Sequence, residues 1–489
     1  MLNQVFEETC RSAGQRTALV FGNERHTYEQ LEEQVAHSAA ALKRHGVSGD
    51  KGVALILKNC PLFITAYLAA SRLGVPAFLL DPGSTQSELH RIFSEASIAI
   101  AICEPSQQLT LERVRDETHQ HFVIVIRNSG FVSAPDPLSE PPATQRYDSE
   151  TAIVQYTSGT TGIPKCIVRS HRNLFCEARN FNETTRISAE DRILCTIPLY
   201  HSHGFGNALL GALYAGATLV LMEEFNRSEV AEIVEREKIT VFPAVPLMFE
   251  LLSQRRLGAH QRENSLRLVF SAGAPLSSKV ASDFKDAFGV YVRQLYGTTE
   301  SGAAAINIDT APLETLESVG PPLRNTRIVI LQESGELAPE GESGEIAIQS
   351  AALTLGYLGQ PELTLQRFRQ GWFCPGDFGR QDGRGFIYLE GRTDWLIMPS
   401  GKKVDLFEVE HVISSFAKVQ EVAVVGIRDS HGERTLKAVV VPREACRAQE
   451  IIEYCRERMS DFKIPRRVEF VSELPRNKMG KVLRKLLVD

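Results

Sequence analysis

The sequence predicts an α/β protein with a large N-terminal domain of helix-covered sheets and a small α+β domain at the C-terminus. Short apolar runs alternate with amphipathic helical stretches along most of the 489 residues, as in parallel sheets whose faces are covered by helices. Near Gly391 the pattern changes to helix, strand, strand, helix and strand. Because single domains hold roughly 100–200 residues, we expect more than one, with a boundary between 1–391 and 392–489.

The elements of the large domain follow from the spacing of apolar residues. Residues 27–46, TYEQLEEQVAHSAAALKRHG, have helical spacing and end at a glycine. VALIL then predicts a buried strand, and residues 61–74, PLFITAYLAASRLG, predict the next helix. Further predicted strands are IAIAIC, FVIVI, ILCTIPL, ATLVLM, ITVFPAV and LRLVFSAG. The Pro- and Ser-rich residues 128–145 predict a surface connection between two halves of this domain.

Composition and charge exclude several classes of protein. Hydrophobic residues make up 43% of the chain and charged residues 23%, which is ordinary for a globular enzyme. A net charge of −6 argues against a nucleic-acid binder. Nine cysteines without a CxxC pair favour a reduced, cytoplasmic compartment. Residues 208–222, the longest apolar run, are fewer than the ~20 needed to span a bilayer and predict a helix, a glycine break and a strand.

A loop rich in glycine and hydroxyl groups follows one predicted strand. IVQY (153–156) leads into TSGTTGIPK (157–165), and α/β sheets place their ligands at such strand ends. The segment is not a P-loop, because Pro164 stands where the GxxxxGK[ST] spacing requires glycine and Cys166 follows the lysine.

The loop nevertheless has the chemistry of a phosphate cradle. Gly159 and Gly162 allow backbone N–H groups to approach phosphate oxygens, while the hydroxyls donate hydrogen bonds and the lysine supplies charge. A polar turn without function is the less favoured interpretation. The predicted phosphate-binding residues are Thr157, Ser158, Gly159, Thr160, Thr161, Gly162 and Lys165.

Six segments in a fixed order resemble the signatures of one enzyme family. They are YTSGTTGIPK (156–165), PLYHSHGF (198–205), SAGAPL (271–276), YGTTE (296–300), GWFCPGDFGR (371–380) with GRTDW (391–395), and PRNKMGK (475–481). They resemble those of the acyl-adenylate-forming (ANL) superfamily, which includes acyl- and aryl-CoA ligases, firefly luciferase and adenylation domains of peptide synthetases. The resemblance covers nearly the whole chain. It implies ATP- and Mg²⁺-dependent formation of an acyl adenylate, with release of pyrophosphate, and transfer of the acyl group to a pantetheine thiol.

The resemblance also assigns a nucleotide site. Thr299 would bind the α-phosphate and Glu300 would hold Mg²⁺, for which one protein carboxylate suffices beside substrate phosphates. Asp377 is placed like the carboxylate that accepts both ribose hydroxyls, and Arg392 would contact ribose or phosphate. Without the motif match, Glu300 would be interpreted as an acidic residue at a helix start, and Asp377 and Arg392 as surface residues in turns. By the same resemblance, Gly273, Ala274 and Pro275 would lie against adenine and Tyr296 would stack on it. Gly297 and Thr298 are also implied as ATP-binding residues.

The acid-binding pocket is implied in the same way. His201 stands where the family has an aromatic residue or histidine that closes the carboxylate pocket. The pair His201 and His203 also suggests zinc, but no further ligand with suitable spacing lies nearby, and His203 fits a structural role. The implied pocket residues are His201, Ser202, His203, Phe242, Ala244, Val245, Ala272, Gly297, Gly302, Ala303 and Ala304.

Ser202 predicts which acids the enzyme prefers. Domains that activate α-amino acids carry Asp at this position, where it pairs with the substrate's amino group. A buried ammonium without a partner is costly. We therefore expect an aryl or medium-chain aliphatic acid.

The C-terminal domain resembles the mobile lid of the family. Asp394 matches the hinge between two orientations of the lid. In one orientation the catalytic Lys481 would act on the carboxylate and α-phosphate, and in the other Gly401 would line the thiol channel. Cys166 in place of glycine, and Pro375 in place of threonine, depart from the family pattern without removing a catalytic group.

The thiol acceptor stays open at this stage. Between Arg456 and Lys485 there are ten Lys and Arg against four Asp and Glu, which suits CoA, an acidic carrier protein with its phosphopantetheine, or merely a solvated face. CoA is the first choice, and a stand-alone ligase that loads a carrier protein in natural-product biosynthesis is the second. An ATP-hydrolysing switch or kinase would release ADP instead of AMP. A non-catalytic nucleotide-binding module is disfavoured because the acidic and basic motif residues are all present.

Overall fold

The chain forms two compact units, seen in a computed structural model. One unit comprises Met1–Leu316, Pro322–Arg327 and Gln349–Phe368, and the other comprises Glu317–Pro321, Ile328–Ile348 and Arg369–Asp489. The structure describes residues 2–47, 49, 51–127, 150–157, 165–254, 265–309, 314–392, 396–397, 404–428, 434–476 and 482–488. The boundary predicted between 391 and 392 stays a prediction, and residues 128–145 lie outside the described ranges.

The helices of the first unit begin at recognisable sequence signals. At the start of the second helix, Thr27 Oγ1 accepts from the Gln30 N–H at 3.2 Å and Gln30 Oε1 accepts from the Thr27 N–H at 2.9 Å, which is a capping box. The helices are α1 (Leu2–Ala13), α2 (Tyr28–Arg44), α3 (Pro61–Arg72), α4 (Gln86–Glu95), α5 (Gln108–Thr118), α6 (His171–Thr185), a π-helix (His203–Leu210) continued by α7 (Gly211–Ala215), α8 (Arg227–Arg236), α9 (Pro246–Ser253), α10 (Ser278–Phe288) and α11 (Pro361–Arg367).

Two largely parallel sheets form the centre of the first unit. Their strands are β1 (Thr17–Phe21), β2 (Glu24–Thr27), β3 (Gly52–Ile56), β4 (Ala77–Leu79), β5 (Ile98–Cys103), β6 (Val123–Ile126), β7 (Thr151–Thr157), β8 (Lys165–Ser170), β9 (Arg192–Cys195), β10 (Thr218–Leu221), β11 (Val241–Ala244), β12 (Leu268–Ser271), β13 (Val292–Thr298) and β14 (Gly302–Ile306). The strand orders are β14-β13-β12-β11-β9-β10-β1-β2 and β6-β5-β3-β4-β7-β8. Antiparallel pairs close the sheet edges at β1/β2, β13/β14 and β7/β8.

One apolar core connects both sheets with the helices between them. Leu55 of β3, Phe63 of α3 and Phe181 of α6 are buried in the same cluster as Phe205 of the π-helix and Phe270 of β12. The helices predicted from 27–46 and 61–74 are confirmed as α2 and α3. The predicted helix, glycine break and strand of residues 208–222 are also confirmed, since the π-helix and α7 end before β10 begins.

An antiparallel sheet in the second unit is not predicted by the alternation of strands and helices. It consists of β15 (Thr326–Leu331), β16 (Gly344–Ser350), β17 (Phe368–Arg369), β18 (Trp372–Phe373), β19 (Asp377–Gln381) and β20 (Ile387–Arg392). The order is β17-β18-β16-β19-β20, with β15 paired to β16. Two-residue strands such as β17 and β18 are too short to show a periodic apolar pattern.

The C-terminal part of the second unit confirms the predicted α+β pattern. Its elements are β21 (Leu396–Ile397), β22 (Val404–Asp405), α12 (Leu406–Ser414), β23 (Val419–Arg428), β24 (Arg434–Pro442), α13 (Ala448–Arg456) and β25 (Arg467–Phe470). Apolar residues of α12 and α13 pack on one face of the β23-β24-β25 sheet. The α/β fold class with a small α+β part is therefore confirmed.

The described ranges contain no helix that combines the length and apolarity needed to cross a membrane. All nine cysteines are free thiols.

Candidate active site

Three neighbouring strands bring two of the motifs to one edge of the first sheet. β11, β12 and β13 are parallel, with Ala244 opposite Ser271 and Ser271 opposite Gln294. The exposed segment 273–275 follows β12, and YGTTE extends from the end of β13. Gly273 has φ +88°, and a Cβ there would meet nothing within 4 Å. The carboxyl edge of the sheet therefore offers an open surface beside the predicted adenine-binding segments.

The YGTTE turn is held by reciprocal hydrogen bonds. The Thr298 N–H donates to Ser301 Oγ at 3.1 Å, and the Ser301 N–H donates to Thr298 Oγ1 at 3.2 Å. The Thr298 hydroxyl thus supports the turn. Tyr296 is buried beneath it, Thr299 is half-buried, and Glu300 is buried at 8% exposure.

Glu300 is fixed by a tyrosine that the sequence motifs do not identify. The Tyr357 hydroxyl donates to Glu300 Oε1 at 2.7 Å, and the Glu300 carbonyl accepts from the Thr354 N–H at 2.8 Å. Lys165 Nζ lies 5.3 Å from the centre of the Tyr357 ring, within cation–π range. The Tyr357 side chain therefore contacts both groups: its ring faces the loop lysine, and its hydroxyl binds the predicted Mg²⁺ ligand.

Tyr357 is itself held rigidly against β8. Its backbone forms an isolated bridge with Ile167, and the Leu358 N–H donates to the Cys166 carbonyl at 2.9 Å. The Tyr357 N–H donates to Thr364 Oγ1 at 2.9 Å. Burial raises the pKa of Cys166 to about 11, so this thiol is neutral and unreactive near pH 7. Cys166, which stands where the family pattern has glycine, therefore adds a buried side chain and not a reactive nucleophile.

The metal-binding side chains at this site fit Mg²⁺ better than a metal ion that needs three or more protein ligands. No group of three or more His, Cys, Asp or Glu is assembled as a metal site among the described residues. Mg²⁺ is typically held by one or two carboxylates together with substrate phosphates. Glu300 supplies one such carboxylate, and its hydrogen bond to Tyr357 resembles the outer-shell support that metal-binding carboxylates receive.

The two histidines of PLYHSHGF have different environments. His203 is buried, its Nε2 lies 3.2 Å from the Ala244 carbonyl, and its Nδ1 lies 2.7 Å from Asn207 Nδ2. These partners favour the neutral tautomer that donates from Nε2 and accepts at Nδ1. Burial lowers the pKa of His203 to about 4. His201 is half-exposed, with its ring 4.5 Å from that of Tyr200. Both nitrogens of His203 serve the fold, which favours a structural histidine over a zinc ligand.

The predicted pocket residues gather around the π-helix, with one exception. The π-helix contacts β11 and β14, and Gly302, Ala303 and Ala304 are buried on β14. A Cβ at Gly297 would lie 2.2 Å from the Gly302 carbonyl oxygen, so glycine permits the close hairpin between β13 and β14. Phe242 is the exception, because its buried ring packs against Phe249 of α9.

The remaining predicted pocket residues follow the ends of β11 and β12. Val245 and Ala272 are buried, and the Ala272 N–H donates to the Ala244 carbonyl at 3.3 Å. Ser202 is half-exposed and directly precedes the π-helix. The apolar groups therefore lie at the ends of two neighbouring strands, and the Ser202 hydroxyl belongs to the residue that follows His201 in the sequence.

In the second unit, the two residues predicted to bind the nucleotide lie next to each other. Asp377 of β19 and Arg392 of β20 are opposite each other in the strand register. Arg392 Nη1 lies 3.1 Å from Asp377 Oδ1, and Arg392 Nη2 donates to the Pro375 carbonyl at 3.2 Å. Asp377 is 6% exposed. The guanidinium group therefore orients the carboxylate.

Several predicted site residues lie outside the described residues. They are Ser158, Gly159, Thr160, Thr161, Gly162, Asp394, Gly401 and Lys481. The flanks of the loop are described, and they place Thr157 at the end of β7 opposite Lys165 at the start of β8.

Comparison with known proteins identifies the family. Residues 6–358 match the AMP-binding enzyme family, and residues 408–481 match the AMP-binding enzyme C-terminal domain. The chain belongs to the AMP-binding enzymes of the adenylate-forming superfamily. This AMP-binding enzyme is 30% identical to a feruloyl-CoA synthase of Amycolatopsis, over 97% of its own length and 96% of the relative's.

Two further similarities extend over nearly the whole AMP-binding enzyme. A long-chain-fatty-acid–CoA ligase of Mycobacterium tuberculosis is 28% identical over 95% of this chain and 92% of its own. The ATP-bound structure of MatB from Rhodopseudomonas palustris has a TM-score of 0.89 at 26% identity, covering 100% of this chain and 98% of its own. The predicted superfamily, the fold class and an AMP-forming acid–thiol ligase of the acyl-CoA synthetase type, with ATP and Mg²⁺ as cofactors, are confirmed.

The hydrogen bond from Tyr357 to Glu300 predicts a change in metal requirement. Tyr357→Phe removes the hydroxyl and leaves a buried carboxylate oxygen without this donor, at a cost of about 1–3 kcal/mol. If Glu300 holds Mg²⁺, losing an outer-shell partner weakens metal affinity by roughly 10–100-fold. We expect the Mg²⁺ concentration for half-maximal pyrophosphate exchange to rise by about that factor.

A matched variant provides the control for Tyr357. The Tyr388 hydroxyl lies 3.3 Å from Asp382 Oδ2 in the second unit, so Tyr388→Phe makes the same chemical change at another carboxylate. Its Mg²⁺ requirement should equal that of the wild type. Equal requirements in all three proteins would contradict the support of the metal ligand by Tyr357.

The buried His203 predicts a pH-dependent contribution to stability. Its pKa falls from 6.5 to about 4 on folding, so the unfolded chain binds more protons between these values. Stability from neutral His203 is therefore complete above pH 6.5 and is lost as the pH falls towards 4. In denaturant unfolding, we expect the free-energy difference between wild type and His203→Gln to decrease by roughly 2 kcal/mol from pH 7 to pH 5. A difference that does not change with pH would contradict a neutral, buried imidazole.

Proposed function

We propose that this enzyme activates a hydrophobic carboxylic acid, aryl or medium-chain aliphatic, as its adenylate and transfers the acyl group to CoA. The observation that carries the proposal is the contact of Tyr357 with both Lys165 and Glu300. It links a cation of the phosphate-binding loop to the carboxylate of YGTTE. A cation and a metal-binding carboxylate held to one ring suit a polyphosphate substrate better than a loop without function.

The role of each group follows from its chemistry. In this proposal Lys165 would attract phosphate oxygens, the N–H groups of the loop glycines would donate to them, and Thr299 would offer a hydroxyl to the α-phosphate. Glu300 would hold Mg²⁺, which when bound neutralises phosphate charge. Preorganised charges of this kind need no rearrangement when charge develops in the reaction.

Asp377 is proposed to bind the ribose. Its carboxylate has two oxygens that can accept from the two ribose hydroxyls, and Arg392 holds it in place at 3.1 Å. A carboxylate oriented by a guanidinium group keeps one geometry, which favours selective binding of a ribose over a deoxyribose.

The pocket supports a hydrophobic acid. Ala244, Ala272 and Ala303 contribute small apolar groups, and Ser202 replaces the aspartate that an α-amino group would need. His203 is neutral and already bonded to the protein, so its side chain offers an ammonium no negative charge. One relative is named for an aryl acid and another for long-chain fatty acids, and neither kind of acid has an α-amino group.

The mobile C-terminal domain remains a proposal that rests on the family resemblance. We place the boundary between 391 and 392, the hinge at Asp394, the adenylation lysine at Lys481 and the thiol channel at Gly401. Two orientations would allow one active site to perform two chemically different steps.

A carrier protein is the second candidate for the acceptor. The basic segment between Arg456 and Lys485 includes Arg466 and Arg467, whose side chains are 66% and 61% exposed. An exposed basic surface suits the acidic surface of a carrier protein as well as the phosphates of CoA. CoA remains the first candidate because the relatives are named as CoA ligases.

The proposed reaction predicts a specific exchange activity. With a panel of carboxylic acids, an aryl or medium-chain acid should drive exchange of labelled pyrophosphate into ATP, and only with Mg²⁺. Because a buried ammonium without a partner costs several kcal/mol, α-amino acids should be at least ~100-fold worse in kcat/KM. Release of ADP without AMP would overturn the adenylation, and a preference for a free α-amino acid would overturn the pocket assignment.

The two orientations predict that Lys481 serves one half-reaction. Losing one preorganised charge costs roughly 10²–10³ in rate, so Lys481→Ala should slow adenylation by that factor. Thioester formation from synthetic acyl-AMP should stay within a few-fold of wild type. Asp394→Pro should show the reverse, since a fixed φ hinders rotation. The measurement is single-turnover kinetics of each step, with CoA and with a carrier protein as acceptors.

Lys463 provides the control in the same domain. Lys463→Ala removes a lysine that has no assigned role in either step, so both half-reactions should keep their wild-type rates. Equal slowing of both steps by Lys481→Ala would rule out a role restricted to adenylation.

A further inference from the structure

A buried ion pair lies against Gly302, one of the predicted pocket residues. Arg169 of β8 and Glu177 of α6 are each 1% exposed, and Arg169 Nη1 lies 2.6 Å from Glu177 Oε2. Arg169 Nη2 also donates to the Ala352 carbonyl at 2.9 Å. Removing two charges from water is costly, and a buried pair is often no more stable than apolar residues of the same volume. Stability alone therefore does not account for this pair.

The ion pair is incomplete in its hydrogen bonding. Within the part of the chain that the structure describes, Glu177 Oε1 and Arg169 Nε are buried and have no hydrogen-bond partner. A buried carboxylate oxygen without a donor costs about 1–3 kcal/mol or more. One acceptor and one donor are thus available to a polar group that enters beside the pair.

The unpartnered oxygen points towards the pocket wall. A Cβ at Gly206 would lie 2.2 Å from Glu177 Oε1, and a Cβ at Gly302 would lie 2.4 Å from the same atom. Gly206 belongs to the π-helix that carries His203, and Gly302 begins β14. The two glycines therefore leave the space into which the carboxylate extends, between the two elements that line the predicted pocket.

A second acceptor lies on the same helix. Asn207, 3% exposed, binds His203 through its Nδ2, while its Oδ1 is buried without a partner among the described residues. Neutral His203 adds no charge here. Glu177 of α6 and Asn207 of the π-helix thus each have one buried acceptor oxygen without a partner among the described residues.

We propose that Glu177, held by Arg169, ends the acyl pocket and selects acids that carry a hydroxyl group, phenolic or alcoholic, remote from the carboxylate. The inference rests on the proposed function of the same site. A hydroxyl of the acid donates to Glu177 Oε1. An alkyl end leaves this oxygen without a partner, and an ammonium adds a third, uncompensated charge to a neutral pair.

The test compares pairs of acids that differ only in the hydroxyl group. Suitable pairs are an aryl acid with and without a ring hydroxyl and a medium-chain acid with and without a terminal hydroxyl. A hydrogen bond to a charged group contributes about 1.5–3 kcal/mol, so wild-type kcat/KM for pyrophosphate exchange should favour the hydroxylated member of one pair by roughly 10–100-fold. Glu177→Gln should reduce this ratio to within a few-fold of one.

A double variant separates selectivity from folding. Arg169→Met with Glu177→Met replaces the pair by apolar side chains of similar volume, which buried pairs often tolerate. This variant should favour the acid without the hydroxyl. Glu237, whose buried carboxylate pairs with Arg25 and Arg192, provides the control, and Glu237→Gln should keep the wild-type ratio.

The outcomes distinguish the two levels of the proposal. If no carboxylic acid drives exchange, the proposed function fails. If acids drive exchange but the hydroxyl has no effect in the wild type, or the ratio is unchanged in both Glu177 variants, only the role of Glu177 is overturned. A preference for an amino group over the hydroxyl at the same position would also overturn it.

Discussion

Through its contacts with Lys165 and Glu300, Tyr357 determines the relative positions of the candidate phosphate-binding lysine and the candidate Mg²⁺ ligand in the first unit. Tyr357 is paired with β8, which begins at Lys165, and its hydroxyl reaches the carboxylate that follows β13. A shift of the Tyr357 side chain would change its contacts with Lys165 and with Glu300 at the same time. Their spacing therefore depends on the packing of residues 354–364, outside both motifs.

Polar groups near the predicted acyl pocket are buried in two different ways. At His203 the fold satisfies both ring nitrogens and lowers the pKa, so the imidazole stays neutral. At Arg169 and Glu177 it supplies one direct contact and leaves an acceptor and a donor without protein partners. The first arrangement stabilises the π-helix against β11. The second is the arrangement that we propose to bind a hydroxyl of the acid, since a few polar groups can give a mainly apolar pocket its specificity.

Family membership and acid specificity are decided by different residues. Relatives named for a feruloyl group and for long-chain fatty acids are about equally similar to this chain, at 30% and 28% identity. The nucleotide motifs are compatible with either acid because they contact the shared substrate. In the proposal for Glu177, specificity would depend on a few side chains at the end of the predicted pocket.

The sequence by itself determined the helices and strands of the parallel sheets, the family, and most residues of the candidate nucleotide site, because periodicity and motifs are local. Helix α2 follows from residues 27–46, and YGTTE identifies Glu300 without any structure. Only the tertiary structure decided that Tyr357, 57 residues away, holds Glu300, and that Glu177 meets Gly206 and Gly302. Such contacts join distant parts of the chain through packing, and they leave no periodic or motif signal in the sequence.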